Sequence, residues 1–152
     1  MGYPIPPESV YRCFKDIPDF AQWVSSYYQH GDLSSRDFAI LEQTKGVTSK
    51  KPTTDTIPAE ELQAITDFGP IAYETVLIES EHFISLFKKQ MMKALFDPQI
   101  REDWGGHQVW CVYGEASTWL VHYTFWQLEK IDKSSEIKVK VIPGANHFVR
   151  RF

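Results

Sequence analysis

Cysteine is scarce in this chain: Cys13 and Cys111 are the two present among 152 residues. Two thiols in separate segments make no disulfide framework, and they fit a reducing compartment. No apolar run approaches the ~20 residues that span a bilayer, and Met1-Gly2-Tyr3-Pro4 opens without the apolar stretch of a secretory signal. Cytoplasmic residence without a membrane partner is the expectation. Clustered positive charge is also missing. The adjacent basic pairs Lys50-Lys51, Lys88-Lys89 and Arg150-Arg151 stand apart, and the net charge is −4. Neutralising a phosphate backbone takes clustered Lys and Arg, so no nucleic-acid partner is expected. The histidines show no H-x-x-x-H spacing and the cysteines no C-x-x-C, so neither a metal nor a cofactor is expected. The chain has no internal repeat and no low-complexity tract.

What is present is a globular composition, 43% hydrophobic and 14% aromatic, in a length that suits one core. Apolar residues recur at helical spacing through most of it. Pro7-Glu8 begins a short helix with Val10, Tyr11 and Phe14, and Pro18 opens a second with Phe20, Trp23, Val24, Tyr27 and Tyr28, ended by His30-Gly31. Ser34 or Ser35 caps a third, with Phe38, Ile40 and Leu41 inward and Gly46 as its stop. The stretch from Thr48 to Asp55 is polar and loop-like. Pro58-Ala59-Glu60-Glu61 restarts a helix with acids in its first turn, and a short helix follows over Ile71 to Ile78. Glu79 to Phe96 has the strongest helical period, with Phe83, Ile84, Phe87, Met91, Met92 and Leu95 inward, and Asp97-Pro98 as its exit.

Beyond about Glu102 the pattern changes. Val109-Trp110-Cys111-Val112-Tyr113 is a short apolar run between glycines, as in a strand buried on both faces. Ile137 to Ile142 alternates and reads as a half-buried strand. Between them Ser117 caps a helix with Trp119, Tyr123, Trp126 and Lys130 at helical spacing. A strand, a covering helix and a returning parallel strand make a right-handed βαβ unit. Ligands of open α/β sheets sit outside the carboxyl ends of the strands, and His147 follows such an end.

The string Ile142-Pro143-Gly144-Ala145-Asn146-His147-Phe148 after a strand resembles the catalytic-histidine loop of the α/β-hydrolase fold, and Gly114-Glu115 resembles the turn after that family's preceding strand. The resemblance covers about the last third of the chain. It implies an α/β fold in which residues 1–102 form a helical lid-like region and 103–152 the C-terminal βαβ part of a hydrolase core. It also implies a hydrolase acting on a small, fairly apolar ester or epoxide. Two departures accompany it. The aspartate of the family's G-x-x-D turn is replaced by Ser117, and no two glycines lie four residues apart, so G-x-S-x-G is absent and with it the nucleophile elbow.

The candidate catalytic residues are His147 as general base and Glu115 as the acid that orients it. Glu115 reads equally as a first-turn helix acid, Ser117 as a helix cap and Cys111 as a packed strand residue. Trp23, Tyr27, Tyr28, Phe83 and Phe87 line either a ligand pocket or an ordinary core. The alternative to an enzyme is a binding protein that keeps the end of this fold for a ligand or partner. A portion of a longer enzyme would reconcile the histidine loop with the missing elbow, and the apolar first strand then leads to self-association or to pairing with the missing core.

Overall fold

Glycine and the β-branched residues at 109–114 and 137–142 do form strands. The computed structural model describes residues 20–44, 46–67, 80–132 and 137–149. Strand β1 (Val109–Gly114) and strand β2 (Ile137–Ile142) pair in parallel, from Val109 opposite Ile137 to Gly114 opposite Ile142. They are joined by a chain that includes a helix at Trp119–Ile131. The result is a mixed α/β arrangement with a two-stranded parallel sheet among the described residues.

Upstream of the sheet, helices α1 (Phe20–Ser25) and α2 (Ala59–Ile65) are short. Helix α3 (Glu81–Phe96) is the longest among the described residues, and α4 (Pro98–Asp103) follows directly. Asp97 explains why the chain restarts as a helix there: its carboxylate accepts from the backbone N–H groups of Gln99 and Ile100, and Pro98 at the first position has no N–H to leave unpaired. The helix between the strands is α5 (Trp119–Ile131).

Several expectations need correction. The helix opened by Pro18 stops at Ser25, and Tyr27 to His30 are neither helix nor strand. Tertiary hydrogen bonds override helical spacing here, because Tyr28 N–H donates to Ala116 O and Val47 N–H to Tyr27 O. The third helix is instead two 3-10 turns, Leu33–Ser35 and Phe38–Ile40, each started by an aspartate, Asp32 or Asp37, that accepts from the N–H two residues on. Ser117 does not cap α5. Thr118 stands at the cap position without a side-chain bond, and Ser117 is fully buried. The expectations at Pro7–Phe14, Cys13 and Ile71–Ile78 lie outside the described residues.

Burial also differs. Tyr113 packs on α5, stacked on Phe125 at 4.5 Å and edge-on to His122 at 5.3 Å. Side chains alternate along a strand, so Trp110 and Val112 point the other way, and they are 56% and 48% exposed. The first strand is thus covered on one face, not two, by the described residues. Likewise the α3 residues Phe83, Phe87 and Met91, expected inward, are exposed. The buried core is elsewhere: Leu41, Trp119 and Trp126, with Trp23, Leu33, Phe38 and Tyr123 around them. Phe38 meets Trp119 and Tyr123 edge-on, and Arg36 reaches across to Glu129 with two hydrogen bonds while lying over Trp126. The 33–41 segment is thereby pinned to α5.

Candidate functional site

The two strands end together, and their exits are stitched by backbone bonds. Glu115 N–H donates to Ile142 O at 2.9 Å, and Ala116 N–H to Ala145 O at 2.8 Å. This demands glycine at 114, where an added Cβ would overlap the carbonyls of Ala145 and Asn146. Gly144 takes a φ of +67°, which a residue without Cβ adopts freely. Its N–H donates to Glu115 Oε2 at 2.9 Å, so the carboxylate after β1 holds the turn after β2.

His147 follows on that turn, where it is exposed, with Phe148 edge-on at 5.7 Å. No described residue hydrogen bonds its ring. The residue before it does the anchoring. Asn146 is 1% exposed, its amide donates to Ser25 O and to Thr53 Oγ1 (2.7 Å), and its oxygen accepts from Phe148 N–H. Ser25 is itself buried and shares a 2.9 Å hydroxyl bond with Thr54. The histidine loop is therefore tied through Asn146 to two segments far away in the chain.

Above the strand ends, two further histidines form a pair, His30 half-buried and His122 buried. His30 Nδ1 accepts from Glu42 N–H at 3.0 Å, so its proton is on Nε2, which donates to Ser117 O at 2.7 Å. His122 is fully buried and its Nε2 donates to Glu115 O at 3.0 Å, and the two rings meet edge-on at 4.6 Å. Burial, with His30 close by, pushes the His122 pKa down to about 4. Burial likewise lowers that of His30, so both rings are neutral at pH 7. Tyr28 donates its hydroxyl to Trp23 O, and burial together with the charge of Glu42 raises its pKa to about 12. Ser117 Oγ, His122 Nδ1 and Trp126 Nε1 are buried without a hydrogen-bond partner among the described residues.

A cleft of about 350 Å³ opens beside these groups, between residues 27–33, the 47–50 turn and the strand exits at Glu115, Ala116 and Gly144. It lies outside the carboxyl ends of the strands, where the sequence placed the site. Glu115 lines it and His147 does not. The Glu115 carboxylate is bonded to Gly144, and no bond joins it to His147. Ser117, where the hydrolase resemblance would expect an acid, is sealed in the interior. Cys111 is half-buried, and its burial raises its pKa, away from a nucleophilic thiolate. Among the described residues no group of three His, Cys, Asp or Glu side chains could hold a metal, and no helix is long and apolar enough to cross a membrane.

The sequence singled out His147 and Glu115 but missed Asn146, His30, His122 and Lys50. Asn146 carried the one available signal, its place inside the loop motif. Comparison with family models, curated proteins and solved structures gives no match to this chain.

Proposed function

We propose that this chain carries the histidine side of an α/β-hydrolase-type site, for cleavage of a small, fairly apolar ester or epoxide. The observation that supports the reading best is the loop after the second parallel strand. Asn146 and Glu115 fix its backbone from both sides, while the His147 ring faces outward with both nitrogens unbonded by described residues. A general base must reach the proton of a nucleophile or water, and a rigid loop with a free imidazole meets that need.

In this reading His147 removes the proton as the nucleophile attacks and returns it to the leaving oxygen. Glu115 acts as a positioning residue through Gly144. The nucleophile comes from a segment that completes the sheet beside β1, because no nucleophile elbow occurs in the sequence. The test is hydrolysis of p-nitrophenyl butyrate and styrene oxide. The chain purified alone gives no turnover above buffer, since losing a nucleophile removes most of the acceleration. Chain isolated under native conditions with its bound partners turns over, and His147→Ala abolishes it. Native material that is inactive, or equally active with His147→Ala, contradicts the proposal.

A further inference from the structure

The cleft at the strand exits has a charge that the hydrolase reading does not use. Lys50 closes a turn whose backbone is fixed at both ends: Val47 N–H donates to Tyr27 O at 2.6 Å, and Lys50 N–H to Val47 O at 3.2 Å. That turn sets the Lys50 ammonium over the buried Tyr27 ring, 4.9 Å from its centre. No described carboxylate pairs with it. Three other polar side chains of the cleft are already committed. Tyr28 donates to Trp23 O, both nitrogens of His30 are bonded, and Glu115 holds Gly144. Among the described residues lining the cleft, Lys50 is the one lysine or arginine, and an aromatic ring and Val47 lie beside its ammonium.

We propose that this cleft binds a small monocarboxylic acid with a flat apolar body, its carboxylate on Lys50 and its body against Tyr27 and Val47. A charge-assisted hydrogen bond from an ammonium is about twice as strong as a neutral one, which selects the carboxylate over its amide. The negative charge of Glu115 in the same cleft disfavours a dianion such as phosphate. The volume of about 350 Å³ is at the small end of ligand sites and suits a single-ring acid. The proposal goes beyond the hydrolase reading and needs no turnover, so each stands or falls by its own measurement.

The test is titration of the ¹⁵N-labelled full chain with phenylacetate, with phenylacetamide as the neutral isostere, and with inorganic phosphate. Phenylacetate is expected to shift the amides of Tyr28, Val47, Lys50 and Ala116 in the millimolar range. Phenylacetamide binds about tenfold more weakly, as does phenylacetate to Lys50→Met, consistent with the loss of one charge-assisted bond. Glu115→Gln strengthens phenylacetate binding, and phosphate shifts these amides less than phenylacetate does. The proposal is overturned by amide and acid binding alike, by Lys50→Met titrating as the wild type, by phosphate binding as well as phenylacetate, or by no shift at all. Lys50 is exposed, so its replacement leaves the fold intact, and far-ultraviolet circular dichroism checks this.

Discussion

Replacing Asn146 by alanine should cost more stability than its short side chain implies. The amide donates to Ser25 O and Thr53 Oγ1, and its oxygen accepts from Phe148 N–H. Ser25 and Thr53 are 0% and 4% exposed, so water does not replace the lost donors. A buried polar group left unpaired costs about 1–3 kcal/mol, and two of them give about 3 kcal/mol in total. With a urea dependence of about 2 kcal/mol per M for a chain of this size, the unfolding midpoint falls by about 1.5 M. Tryptophan fluorescence reads it, since Trp119 and Trp126 are buried. Asn146→Asp is the sharper variant, because it sets a carboxylate against the Ser25 carbonyl oxygen, which can only accept. It should be less stable than the alanine variant at neutral pH and recover part of the difference on acidification, when the protonated acid can donate. A midpoint shift below about 0.5 M for alanine, or aspartate more stable than alanine at pH 7, refutes the clamp.

Three other outcomes follow from the same geometry. The folded pKa of His122 lies near 4, below the ordinary 6.5, so the unfolded chain binds the extra proton first; stability should be level above pH 6.5 and fall as the pH drops toward 4. His122→Gln should flatten that part of the curve in urea titrations across pH. Gly114→Ala forces a Cβ onto two backbone carbonyls that cannot rotate away, so it should destabilise by roughly 3 kcal/mol or more, or prevent folding, as judged by soluble yield and urea melts. Trp110 and Val112 leave an apolar face on a strand with one edge paired among the described residues, so the chain alone should self-associate at micromolar concentration. Trp110→Lys should reduce association in sedimentation velocity, and a monodisperse wild-type monomer contradicts this.

The sheet was legible because its signals are local. Glycine brackets the run that became β1, alternation marked β2, and their parallel pairing follows from the helix between them. His147 was placed for the same reason, by a motif at a strand end. What failed depended on distant residues. Nothing near Tyr28 announces that Ala116 will pair with its backbone, so a helical stripe was read through residues that lie beyond the helix end at Ser25. Asn146 gives no sign of Ser25 and Thr53, which lie more than 90 residues upstream. The turns at Leu33 and Phe38 had local warning in Asp32 and Asp37, whose carboxylates compete for the backbone. The apolar stripe of α3 was read correctly as a stripe, but an amphipathic period does not say what covers it.

Covalent trapping with a fluorophosphonate tests the proposal that His147 serves a nucleophile outside these 152 residues. Natively isolated material is labelled, and the modified residue is located by mass spectrometry. The label is expected on a serine outside this chain, formed at least about a hundredfold more slowly with His147→Ala, as befits loss of a general base. A label on Ser117 or any other residue of the chain, or labelling indifferent to His147, would contradict it.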